Sequence, residues 1–265
     1  MPTNICNVTE KTLGRTMHAL QLENDLLSTT ILLDKGADIY ELIYKPKGMD
    51  VLWKSPWGLR EPARSAYSAA NSFGSWLENY AGGWQELFPN GGGPVEYKSI
   101  ELNFHGEASM VAWDYEITEL SSQVAEIRLF TRLARSPFAI ERIMRVEAGT
   151  PVLFLRGKIT NDGGEPMDYM WSHHPAYGAP FLSEHCRIDV GANTLLADDG
   201  YMGSHNPMTV NTAYQWPNAD GTDMSIVPGQ DTPRDILSYF KDFDDAWCAI
   251  TNTELGFGVG LTWDK

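Results

Sequence analysis

The chain has 265 residues, 43% of them hydrophobic and 21% charged, enough length and apolar content for a full globular core. Twenty Lys and Arg stand against 35 Asp and Glu, a net charge of −15 that argues against nucleic-acid or anionic-membrane partners and, more weakly, against a strongly anionic substrate. The opening Met1-Pro2-Thr3-Asn4 carries no basic segment leading into an apolar run, and no stretch is long enough to span a bilayer. Cys6, Cys186 and Cys248 are scattered without a CxxC pair, as expected of reduced thiols in a cytoplasmic protein.

Taken in chain order, the elements are overwhelmingly β. Residues 29–33 and 38–44 read as strands around the turn Asp34-Lys35-Gly36-Ala37. Residues 55–100 are rich in Gly, Pro, Ser and aromatics, a composition suited to functional loops over a sheet, with one short helical stretch at 75–80. Ala125, Ile127, Leu129, Thr131 and Leu133 then alternate with polar or outward residues, the period of a half-buried strand. Strands at 138–146 and 152–159 follow across short turns and complete an antiparallel meander, the first with Ile140, Met144 and Val146 on one face. Asp231 to Asp235 is expected to cap a turn of helix before Ile236. Residues 257–263 read as a core strand, after which the chain stops at Lys265. The expected architecture is one all-β sandwich domain over 1–265, with the stop so soon after a core strand suggesting a C-terminally incomplete domain.

Two histidine-bearing segments carry the chemistry: Asn-Phe-His-Gly-Glu at 103–107 and Trp-Ser-His-His-Pro-Ala-Tyr-Gly at 171–178. A glycine- and aromatic-rich stretch at 82–93 precedes them. Imidazoles set among aromatic rings suit a neutral, hydroxyl-rich ligand, because rings pack on its C–H faces while imidazoles exchange protons with its oxygens. His174 is the candidate for proton exchange, since an imidazole can donate and recover a proton near neutrality. His105, Trp84, Gln85, Glu107 and His173 are candidate ligand contacts. The plain alternative for each is structural: a core histidine held by hydrogen bonds, a packed tryptophan, a solvated carboxylate. If His173 and His174 share a strand, their rings point to opposite faces, so only one of them is expected to lead at the ligand. No metal is expected, since HxxxH and HExxH spacings are missing. The glycine runs form neither GxGxxG nor a P-loop, no Gly-x-Ser-x-Gly elbow occurs, and no cofactor is expected.

The ordered set Gly82-Gly83-Trp84, Phe88-Pro89, His105-Gly106 and His174-Pro175-Ala176-Tyr177 resembles the aldose 1-epimerase (galactose mutarotase-like) family over residues 20–263. Gly36-Ala37-Asp38-Ile39 and residues 50–55 resemble that family's opening strands. The resemblance implies an antiparallel β-supersandwich with a sugar in an open cleft, and cofactor-free interconversion of α and β anomers. It implies His174 as the acid toward the ring oxygen and His105 as a sugar-holding residue. Two departures stand out. The loop arginine of many relatives is replaced by Asn90-Gly91-Gly92-Gly93, and no Leu-Glu-Pro-like segment with the family's glutamate base occurs. Other functions open at this stage are a non-catalytic sugar-binding or sensing module on the same scaffold, and a hexose-phosphate epimerase using Arg60 or Arg64. The expected partner is a small-molecule sugar; oligomeric state is left open.

Overall fold

A computed structural model describes residues 5–62, 68–201 and 203–264. The chain forms two compact units, Met1–Tyr177 and Gly178–Lys265.

The first unit contains β1 (Asn7–Leu13), β2 (Met17–Glu23), β3 (Leu27–Leu32), β4 (Asp38–Tyr44), β5 (Met49–Asp50), helix α1 (Ser72–Glu78), β6 (Trp84–Leu87), β7 (Val95–Tyr97), β8 (Ile100–Leu102), β9 (Asp114–Leu120), β10 (Val124–Arg132), β11 (Phe138–Glu147), β12 (Phe154–Asn161) and β13 (Ser172–Pro175). One sheet runs β1-β2-β3-β4-β6-β13, with β5 on β4; a second runs β12-β11-β10-β9, and β7 and β8 form a hairpin. All pairings are antiparallel.

The core of this unit lies between the two sheets. Ala125, Ile127 and Leu129 of β10 and Phe138, Ile140, Met144 and Val146 of β11 are buried, as the alternation predicts. Each of these side chains larger than alanine contributes roughly 1.5–3 kcal/mol by leaving water. Arg142 sits on the same inward face and is 2% exposed, a charge where the pattern calls for an apolar residue. It crosses to the other sheet: Nη1 donates to Glu86 Oε2 at 2.9 Å, Nη2 donates to the Ala37 carbonyl, and the guanidinium lies 5.2 Å from the Trp113 ring centre.

The second unit is a four-stranded sheet in the order β15-β14-β18-β19, built from β14 (Cys186–Ala197), β15 (Ala213–Gln215), β18 (Ser238–Asn252) and β19 (Phe257–Thr262), with a small ribbon of β16 (Asn218–Ala219) and β17 (Thr222–Asp223). Leu195, Ala197, Met208 and Ala219 form its buried cluster. Two expectations are corrected here. Residues 231–237 form no helix; after turns at 230–231 the chain takes no regular secondary structure until 238, so Pro233 starts nothing. Among the described residues, 257–262 form an edge strand paired with β18 alone, with Phe257, Val259 and Leu261 half-buried rather than in a core.

Candidate active site

The candidate site is built on β6 and β13, which pair antiparallel with Gln85 opposite His174 and Glu86 opposite His173. Side chains alternate across a strand, so this register sorts four polar residues onto two faces. Stretch 82–87, expected as loop, is instead largely strand, entered through Gly82 and Gly83. A Cβ on Gly83 would lie 2.5 Å from the Ile39 carbonyl oxygen, which explains the glycine where β6 leans against β4.

On one face His174 meets His105, their ring centres 5.6 Å apart. Trp76 stands edge-on to both, at 4.7 Å from His105 and 5.7 Å from His174. Tyr80 stacks on Trp76 at 4.6 Å and lies 5.8 Å from His174, while Phe104 lies 3.8 Å from His105. Trp76 comes from α1, which begins at Ser72 rather than 75 because the Asn71 side chain caps it, accepting the Gly74 N–H at 2.8 Å. Its indole N–H donates to Ser109 Oγ at 3.2 Å. Sequence reasoning reached the helix but not the role of Trp76, Tyr80 and Phe104 as the wall around the two imidazoles.

His105 is placed by strained backbone. Its φ is +59° and that of Gly106 is +75°. Its N–H donates to the Gly92 carbonyl at 3.0 Å, in a loop that Asn90 ties together by donating to the carbonyls of Gly93 and Asn103. A non-glycine residue in the left-handed region costs on the order of 1–3 kcal/mol and persists where the surroundings fix it.

Both imidazoles are neutral at pH 7. Burial first, then the neighbouring His174, lowers the His105 pKa to about 4, against the carbonyls of Gly91 and Gly92. Burial also lowers the His174 pKa. Each ring buries its Nδ1 with no hydrogen-bond partner, and the buried Asp38 Oδ1 and Gln85 Oε1 are unpaired as well. Buried polar atoms are ordinarily satisfied, so two such nitrogens on neighbouring rings call for an explanation, and a ligand or water supplies one. Among the described residues no group of three His, Cys, Asp or Glu side chains is placed to hold a metal.

The remaining sequence candidates lie elsewhere or act differently. Gln85 is on the histidine face but fully buried; its amide nitrogen donates to the Gly82 carbonyl at 2.7 Å and to Asp38 Oδ2 at 3.3 Å, so it underlies the site rather than lining it. Trp84 is buried and donates to His173 Nδ1 at 3.1 Å, away from His105 and His174. His173 reaches the surface on that opposite side; the protein around its ring lowers its pKa, opposed by Glu86. Glu107 follows the left-handed turn at 105–106 and is carried inward, where it accepts the N–H groups of Ala134, Arg135 and Ser136 and the Ser136 hydroxyl. That is a structural clamp on a turn, not a ligand contact. Arg60 is exposed, and Arg64 lies outside the described residues.

A family model described as a domain of unknown function, DUF4432, matches residues 14–265. The chain belongs to the DUF4432 family. No curated protein matches it. Among solved structures, this DUF4432 chain is similar to a TPR-domain containing protein from Parabacteroides distasonis, with a TM-score of 0.62 at 17% identity, covering 94% of this chain and 36% of that one. It is similar to a candidate aldose 1-epimerase from Klebsiella pneumoniae, with a TM-score of 0.59 at 20% identity, covering 72% of this chain and 52% of that one. A candidate aldose 1-epimerase from Escherichia coli K12 gives a TM-score of 0.56 at 13% identity, covering 97% and 77%. The chain thus spans about a third and about half of the first two. These likenesses establish the fold as all-β, antiparallel and galactose mutarotase-like. No helix of the described residues is long and apolar enough to cross a membrane.

Proposed function

We propose that this protein binds a neutral aldose against His105 and His174 and interconverts its α and β anomers without a cofactor. The observation that carries the reading is the pair of neighbouring neutral imidazoles, ring centres 5.6 Å apart, inside a wall of Trp76, Tyr80 and Phe104. Rings of this kind pack against sugar C–H faces, and neutral imidazoles offer both a donor and an acceptor to hydroxyls. The likeness to candidate aldose 1-epimerases supports the reading at the level of fold.

Mutarotation moves two protons: one leaves the anomeric hydroxyl and one arrives at the ring oxygen as the C1–O5 bond breaks. His174 delivers the proton to the ring oxygen; His105, whose pKa near 4 keeps it neutral, holds a hydroxyl. Glu86 and Glu107, the acids adjacent in sequence to these segments, are committed to Arg142 and to the 134–136 turn. That commitment favours, as the second reading, a module that binds sugar without turning it over.

Polarimetry on freshly dissolved aldoses separates the two. His174→Ala is expected to cut the anomer-exchange rate by roughly 10²-fold or more, and His173→Ala far less. Sugar binding without acceleration supports the binding module. No binding to any free aldose, together with tight binding of ATP or NAD, contradicts both.

A further inference from the structure

Beneath the two histidines lies a buried chain of polar groups that the sugar cannot reach. Lys35 and Asp38, 3% and 1% exposed, form an ion pair across a turn whose Gly36 and Ala37 have φ of +65° and +47°. Burial pushes the Asp38 carboxyl up, and Lys35 pulls it down. Asp38 Oδ2 accepts from Gln85 Nε2, and the Gly82 carbonyl accepts from the same nitrogen. This fixes the orientation of the carboxamide. With Nε2 held on that side, Gln85 Oε1 is left as a buried acceptor with no donor. Gln85 is 0% exposed, and the residue directly opposite it on β13 is His174, whose Nδ1 is buried and equally without a partner. Directly opposed side chains on one face of an antiparallel pair have Cβ atoms about 4.5–5.5 Å apart, within reach of a carboxamide and an imidazole.

We propose that Gln85 is a positioning residue for His174: its Oε1 accepts the Nδ1–H, directly or through one water, and so fixes the neutral ring with its Nε2 lone pair toward the ligand.

The consequence deepens the function proposed above and rests on it. A neutral His174 with its proton on Nδ1 cannot give Nε2–H to the ring oxygen until it has taken a proton. The anomeric hydroxyl, on the same carbon as the ring oxygen, supplies it. The O1–H bond breaks as Nε2–H forms; the C1–O5 bond then breaks to leave a C1=O1 aldehyde, and O5 takes the proton from Nε2. The imidazole is regenerated neutral and no other base is required. Ring closure after rotation of the aldehyde runs the same transfers backwards.

The test reads the tautomer without any sugar, so its failure is distinct from failure of the epimerase reading. The full chain is labelled with ¹⁵N in histidine, and long-range ¹H–¹⁵N correlation is recorded near neutral pH, with His174→Gln used to assign the signal. The expected wild-type pattern is a protonated Nδ1 and an unprotonated Nε2 for His174. Gln85→Met, which keeps the length and removes the acceptor, is expected to shift the population toward Nε2–H. Gln85→Asn, which withdraws the acceptor by one methylene, is expected to shift it the same way, and either folded variant decides. An Nε2–H ring in the wild type, or an unchanged tautomer in either folded variant, overturns the proposal.

Discussion

The two faces of the β6–β13 pair carry similar residue types in opposite states. On the inward face Glu86 is fully buried yet satisfied: Oε2 takes Arg142 Nη1 and Oε1 takes the Trp171 indole N–H at 2.7 Å. Trp84 and His173 satisfy each other beside it. On the opposite face His174 and Gln85, one residue further along each strand, leave a ring nitrogen and a carboxamide oxygen unpaired, and His105 adds another nitrogen. Buried polar groups that answer one another hold a fold together. The groups without a direct partner on the opposite face lie beside aromatic rings, where a neighbouring carboxamide, a water or a ligand completes them, and this contrast marks which face is the site.

The contrast breaks most visibly at Glu86. Replacing it with Ala leaves Arg142 as an uncompensated charge in the core, and an expected loss of about 3–5 kcal/mol in urea unfolding checks this. A loss under about 1 kcal/mol would mean that the inward pair is not a structural element.

Acid stability comes next. The folded pKa values of His105 and His174 are depressed below the ordinary 6.5, so the unfolded chain binds protons first. The His105 contribution is fully present above about pH 6.5 and is lost as pH falls through about 4, and that of His174 is lost in the same direction. His105→Phe is expected to flatten the wild-type decline across that window by ~1–3 kcal/mol, measured as the difference between the two unfolding curves. Parallel curves would show that the ring is not desolvated.

The smallest effect is expected at His174→Ala in the absence of ligand. The half-buried ring loses only edge-on aromatic contacts, and the space it leaves admits water to the Gln85 carboxamide, so stability should change by no more than about 1 kcal/mol. A cost as large as that of Glu86→Ala would erase the distinction between the faces.

Much of the scaffold was legible in the sequence because a period of two survives in single strands: β10 and β11 fall where Ala125 to Leu133 and Ile140 to Val146 place them. The alternation sets Arg142 beside Ile140 and Met144 but does not show that it is buried, since only the cross-sheet partners Glu86 and Ala37, 56 and 105 residues away, make its burial tolerable. The opposite facing of His173 and His174 follows from strand geometry alone. The separation of Trp84 from the site follows from the same rule once 84–87 is known to be strand, but its glycine-rich approach reads as loop. Glu107 was misplaced because sequence adjacency to His105 hides the left-handed turn between them. Trp76 and Tyr80 join the site through the tertiary placement of a seven-residue helix, which no local pattern encodes.

The central claim is that the His105–His174 face takes a neutral sugar. Titrating free galactose and glucose into the ¹⁵N-histidine-labelled chain tests it most directly. The predicted result is saturable movement of the His105 and His174 ring signals, with those of His173 fixed beside Trp84. Movement of His173 alone, or no movement of any ring at saturating sugar, would contradict it.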